Sequence, residues 1–194
     1  MAANAILQVG DEDAKQKYLP GIAAGETVAT LAFTEESGRW DPEGIEMHAT
    51  ADGDGYRLSG TKMYVVDGHT ASLIVVAART AEGLSLFAVD GGADGLTRTA
   101  LSTMDMTRKQ ARLEFDNVSA SLIGAAGGAE AAWPRVLDVA AVALANEQVG
   151  GAQKCLEMSV EYAKVRIQFG RPIGSFQAIK HKCADMLLEV ESAK

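Results

Sequence analysis

The sequence predicts an α+β chain: an antiparallel β-barrel or sandwich followed by part of an α-helical bundle. Three observations carry this. Between about Thr27 and Ile123, short apolar or alternating runs recur between turns rich in Gly, Asp and Ser. After Gly124-Ala-Ala-Gly-Gly128 the chain becomes rich in Ala, Val, Leu, Glu and Gln, and its one proline before residue 168, Pro134, falls where a first turn tolerates it. Near the end, Phe176, Ile179, Cys183, Met186, Leu187 and Val190 recur at spacings mostly of three and four, the stripe of an amphipathic helix. The resulting organisation is a helical segment at 1–26, a β-domain at 27–123 and two long helices in 124–194.

Taken in order, residues 1–21 read as a fragment of helix. Asp11, Glu12 and Asp13 suit a first turn, Lys15 and Lys17 follow, and Pro20-Gly21 is a stop signal. Strands are expected at Val28 to Phe33, Tyr56 to Leu58, Met63 to Val66, Ser72 to Ala78, Ser85 to Val89 and Arg112 to Phe115. Asp52-Gly53-Asp54-Gly55, between Met47-His-Ala-Thr and Tyr56-Arg-Leu, marks a hairpin, because glycine supplies the positive φ such turns need. Strands at near-regular spacing without intervening helices favour antiparallel over parallel pairing. A helix is expected over 130–168, apolar all round as if enclosed by other helices. Gly170 and Pro172 would break it, and Ser175 is placed to cap the next. At that corner Arg166, Gln168 and Gln177 offer a guanidinium and two amides. They either grip a phosphate-bearing ligand or merely satisfy the turn.

Bulk properties exclude several classes. With 26 acidic against 18 basic residues the net charge is −8, which argues against nucleic acid or an anionic membrane as main partner. No apolar run approaches the roughly 20 residues of a membrane span, and Met1-Ala-Ala-Asn lacks the charged start of a secretory signal. Cys155 and Cys183 lie among apolar residues and read as reduced core thiols of a soluble, cytoplasmic protein. His48, His69 and His181 read as surface or turn residues. No cluster has metal-ligand spacing, so no metal is expected.

Two stretches resemble a known family. Arg166-x-x-Phe169-Gly170-x-Pro172, followed by Phe176-Gln177 and Ala184-Asp185-Met186, is similar to the C-terminal-domain signature of the acyl-CoA dehydrogenases. Leu31-Ala-Phe-Thr34-Glu35-Glu-Ser-Gly38-Arg-Trp-Asp41, with Leu58-Ser-Gly60-Thr-Lys62-Met-Tyr64-Val-Val-Asp-Gly68, resembles its middle-domain signature. The resemblance runs from about Gly10 to Lys194. It implies a truncated chain, with a remnant of the N-terminal helical domain, a complete middle domain and the first two helices of a four-helix bundle. It also implies FAD as cofactor, an acyl-CoA substrate and an electron-transfer flavoprotein or similar acceptor. Assembly would be a homodimer or homotetramer, or a heteromer with a homologous subunit.

The resemblance further implies roles for single residues. Phe33 and Thr34 would lie against the flavin, with the Thr34 hydroxyl on its polar edge. Tyr64 and Val66 stand where the family has an aromatic residue and a threonine, so Val66 keeps the shape and loses a donor. Arg166, Gln168, Phe169 and Gln177 would serve the pyrophosphate and adenosine half of a neighbouring subunit's cofactor. Asp138 matches a substrate contact, and Trp40 replaces a serine that touches the pantetheine arm. The arginine usual at position 141 is Ala141. A carboxylate is absent at Ala140, where a minority of the family place the catalytic base, so no catalytic residue is assigned. The chain alone is expected to be inactive, and a second reading is an idle partner subunit that completes a neighbour's FAD site.

Overall fold

The computed structural model describes Met1–Lys194, and the chain divides into two compact units, Met1–Asp138 and Val139–Lys194. The first begins with two helices, α1 (Ala2–Val9) and α2 (Glu12–Ala23), where one was expected. Gly10 separates them in extended geometry, and the Asp11 carboxylate caps α2 by accepting the Ala14 amide at 2.8 Å. Pro20 does not stop α2, which runs on to Ala23; its missing donor leaves one carbonyl a turn earlier unbonded without clashing enough to break the helix.

Seven strands form one sheet: β1 (Ala29–Ala32), β2 (His48–Asp52), β3 (Gly55–Val66), β4 (Leu73–Thr80), β5 (Gly83–Asp90), β6 (Leu96–Ala100) and β7 (Gln110–Ile123). The path β4-β2-β3-β7-β5 returns to β4, so the sheet closes on itself as a barrel, with β1 added to β4 and β6 to β7. The hairpin falls where turn chemistry put it, Asp52 opposite Gly55 with Gly53 at φ 60°. The two strands expected at 56–58 and 63–66 are one strand, and β6 had no counterpart in the sequence reading. The pairing is not wholly antiparallel: β1 runs parallel to β4 from Ala29–Leu73 to Ala32–Val76, and His48 pairs in parallel with Arg79.

Alternation divides the buried residues into two cores. Ile74, Val76, Ala78, Phe87 and Val89 join Leu58, Leu113, Phe115 and Val118 in one cluster. Val75, Ala77, Leu84 and Leu86 face the other way, onto Ala5 and Ile6 of α1 and onto Trp133 and Val136. The N-terminal helices therefore belong to the packing of the β unit. A tight crossing locks them there. A Cβ on Gly124 (φ 74°) would lie 2.2 Å from the Val9 carbonyl oxygen. Gly124→Ala should lower unfolding free energy by about 1–3 kcal/mol, read as a fall in the urea midpoint at unchanged slope.

A long helix, α3 (Ala129–Val165), starts in the first unit and continues into the second. It ends three residues before the expected stop. The second unit adds a small hairpin, β8 (Ile167–Gln168) with β9 (Arg171–Pro172), a 3₁₀ turn Ile173–Ser175 and α4 (Gln177–Ala193). Ser175 does not cap α4: its hydroxyl donates to the Pro172 carbonyl at 2.7 Å, and Phe176 holds the cap position without a side-chain bond. Leu156, Ala163 and Val190 are buried in this unit, whereas Val142, Leu144, Met158, Tyr162 and Leu188 are exposed. Cys183 is half-buried, but Cys155 is exposed, so the expectation of a core thiol fails there: its position on α3 has nothing packed over it. No helix is long and apolar enough to cross a membrane.

Candidate functional site

Two distant stretches meet at the end of β1. Leaving the sheet, Phe33 and Thr34 form one wall of a cavity of about 190 Å³; Met63, Tyr64, Val65, Val66 and Asp67 at the end of β3 form the facing wall. The Met63 amide donates to the Thr34 carbonyl at 2.8 Å and closes the two walls together. Thr34 is buried, yet its hydroxyl hydrogen-bonds no group of the chain. Tyr64 and Val66 are 51% and 43% exposed, which leaves one side of the recess open to a ligand.

Local backbone explains why Tyr64 stands there. The β3–β7 register slips between Lys62 and Val65, and Tyr64 occupies that bulge at φ 57°, in the left-handed region. Such a conformation costs about 1–3 kcal/mol in a residue with a Cβ, so its surroundings must enforce it. Val65 is buried beside it, the Thr30 hydroxyl donates to the Val66 carbonyl at 2.6 Å, and the Asp67 amide donates to the Lys109 carbonyl at 2.8 Å.

Two residues without an assigned role sit directly beside these walls. Lys62 is completely buried, and its Nζ lies 2.6 Å from Glu35 Oε1 and 3.4 Å from the Phe33 carbonyl. Glu35 also accepts the Glu46 and Met47 amides at 3.1 and 3.0 Å. Burial lowers the Lys62 pKa to about 8 against the pull of Glu35. Burial pushes Glu35 upward, but the Lys62 charge, its hydrogen bond and the two amides outweigh that and hold the carboxyl below its ordinary value. The alternation of β3 carries a signal for Lys62, which shares a face with buried Leu58.

Trp40 does not line the cavity. It is 58% exposed and meets Phe33 edge-on at 5.8 Å, while its carbonyl accepts Trp133 Nε1–H at 3.0 Å. Asp138, on the same helix as Trp133 and also exposed, ends the first unit.

In the second unit, Arg166 follows the end of α3, and its carbonyl accepts the Ile173 amide at 2.8 Å. Phe169 and Gly170, at φ 54° and 76°, make the two-residue turn of the β8–β9 hairpin. The Arg171 guanidinium stacks 4.1 Å over the Phe176 ring, and Phe169 meets that ring edge-on at 6.0 Å. Backbone bonds and Ser175 thus satisfy the turn. Arg166, Gln168 and Gln177 are exposed and hydrogen-bond nothing in the chain through their side chains, and Phe169 is 91% exposed.

A closed barrel packed against helices in the first unit, with further helices in the second, defines an α+β protein. The chain belongs to the acyl-CoA dehydrogenase family: the description "Acyl-CoA dehydrogenase, middle domain" matches residues 30–118 and "Acyl-CoA dehydrogenase, C-terminal domain" matches residues 126–194. A mitochondrial isovaleryl-CoA dehydrogenase of Solanum tuberosum is 33% identical over 204 residues, covering 100% of this chain and 50% of that protein. An acyl-CoA dehydrogenase of Mycobacterium tuberculosis is 39% identical over 180 residues, covering 91% and 49%. The solved structure of a glutaryl-CoA dehydrogenase from Mycobacterium smegmatis in complex with FADH2 superposes with a TM-score of 0.90 at 27% identity, over 100% of this chain and 51% of that one. The chain therefore spans about half the length of the relatives it matches.

Proposed function

We propose that this chain is a segment of an FAD-dependent acyl-CoA dehydrogenase, which oxidises the α,β bond of an acyl-CoA thioester to the 2-enoyl-CoA. One observation carries the reading: Phe33, Thr34, Tyr64 and Val66, drawn from two separate stretches of the chain, line a single cavity. The donor set fits one edge of a planar flavin ring, with an unbonded hydroxyl at Thr34 and apolar faces at Phe33 and Val66. The recess is smaller than the roughly 300 Å³ at which ligand pockets begin, so it holds only part of a dinucleotide. Arg166, Gln168, Phe169 and Gln177 supply the exposed set suited to the pyrophosphate and adenosine half of a neighbour's cofactor. Bound in the recess, FAD would supply the hydride acceptor.

Trp40 and Asp138 are the substrate-side residues of this proposal, and the domain scheme is 1–26, 27–123 and 124–194. Pairing of chains, as homo-oligomer or with a homologous subunit, an electron-transfer flavoprotein as acceptor and a cytoplasmic location belong to the same proposal. Without an assigned general base the chain alone turns over little, since such a base is worth about 10²–10⁴ in rate. A partner-subunit reading is favoured by Val66 and Ala141, which bring no polar side chain to positions where the family uses one.

Titration with FAD tests the reading, followed by quenching of Trp40 and Trp133, the chain's two tryptophans. Thr34→Val should weaken FAD binding about 2- to 10-fold, the worth of one neutral hydrogen bond. A chain that stays unquenched at saturating FAD and emerges colourless once free FAD is removed by gel filtration, alone and with a homologous subunit, would overturn it. Quenching only in the mixture would select the partner-subunit reading.

A further inference from the structure

A lysine with no solvent exposure is an unusual occupant of a β-barrel. Taking two charges out of water costs more than their attraction commonly returns, and well-packed apolar residues serve stability as well or better. The pair of Lys62 and Glu35 is therefore better explained by what it positions. Its mutual bond and the Lys62 bond to the Phe33 carbonyl join the two segments that build the cavity, and two further bonds anchor Glu35 to the backbone at Glu46 and Met47. Lys62 precedes Met63, the residue that bonds Thr34, and reaches the Phe33 carbonyl; Glu35 follows Thr34 and is tied to the Glu46 and Met47 amides. Residues 33–35 have left the β1 ladder, so no strand pairing of their own sets their distance from β3. A single backbone bond, from Met63 to Thr34, joins them, and the charged pair adds a second tie across 27 residues of sequence.

We propose that Lys62 and Glu35 are a positioning pair, which fixes the separation and register of the two cavity walls and so presents Thr34 and Tyr64 to a planar ligand at a set spacing. The ligand-facing half of this rests on the flavin reading above; the geometric half does not. Neither side chain touches the ligand. Each acts through its neighbour, Glu35 through Thr34 and Lys62 through Met63 and the bulged Tyr64.

The experiment compares wild type with Lys62→Met, Glu35→Gln and the double variant, the last removing both charges together so that none is left buried alone. Residue-resolved amide exchange is measured without ligand, and FAD affinity is measured by tryptophan quenching. The Met63 amide is expected to exchange about tenfold faster in the folded variants, while the amides of β5 keep their protection, and FAD affinity should fall about tenfold. Unchanged Met63 protection, or loss spread evenly through the barrel, would overturn the proposal. So would wild-type FAD affinity in a variant whose Met63 amide has been freed. If the wild type itself bound no FAD, the functional reading would fall, and the exchange pattern alone would still decide the positioning role. If Lys62→Met does not fold, Glu35→Gln and the double variant carry the same comparison.

Discussion

Replacing Trp133 by alanine is expected to lower the stability of the first compact unit by about 3–5 kcal/mol, a large part of the 5–15 kcal/mol of an ordinary domain. Trp133 is completely buried and stands among the largest side chains in the core. It sits at the start of α3, meets the Phe33 ring at 5.5 Å, and donates its indole N–H to the Trp40 carbonyl. Truncation leaves a cavity where α3 packs on the sheet and releases Phe33, which lines the proposed ligand recess. Urea denaturation followed by circular dichroism should show a lower midpoint at unchanged slope; a loss below about 1 kcal/mol would show that the site collapses without cost. Trp133→Phe keeps most of the volume and removes the donor, so it should cost about 1–3 kcal/mol and separates packing from the hydrogen bond.

Lys62→Met is expected to have the second largest effect, about 3 kcal/mol, because it strands the Glu35 carboxylate in a low-dielectric site. The Glu46 and Met47 amides remain to Glu35, which places the loss at the lower end for a broken buried pair. The pH dependence separates the two partners. Glu35 titrates below its ordinary value of 4.5 in the folded chain, so its stabilising share is present above that value and is lost as pH falls through its folded pKa. Lys62 moves the opposite way for a base, from 10.5 to about 8. Between those values the unfolded chain holds the proton and the folded chain does not, so the Lys62 share of stability rises with pH over that window. The ion pair itself is lost there. Above about pH 8, FAD affinity should therefore decline while the urea midpoint does not fall on account of Lys62. Glu35→Gln should flatten the acid limb. Parallel decline of affinity and midpoint above pH 8 would sink this account.

Much of the architecture was legible because it rests on short-range chemistry. Asp52-Gly53-Asp54-Gly55 specifies a two-residue turn by conformational preference alone, and the hairpin forms there. The runs at 72–78 and 85–89 read as strands from their short apolar stretches, and β4 and β5 form there with both faces largely buried. What escaped depends on distant pairing. Leu96–Ala100 has one large apolar residue and becomes a strand only because β7 offers it an edge. The parallel alignment of β1 with β4 joins residues 44 apart, and nothing in either run announces it. Residues 1–21 read as one helix, but the extended backbone of Gly10, whose amide donates to the Ile6 carbonyl, splits the segment in two. Ser175 has the chemistry of a cap, yet the 3₁₀ turn before α4 spends its hydroxyl on Pro172.

By itself the sequence determined the α+β class, the family and the residues of both motifs, because turn preferences, alternation and motif spacing are local and survive without coordinates. Only the tertiary structure decided that Phe33, Thr34, Tyr64 and Val66 share one recess and that a buried Lys62 ties Glu35 to it. Burial and charge pairing arise from which segments the closed barrel brings together, and those partners lie 27 to 33 positions apart along the chain, beyond the reach of any local rule.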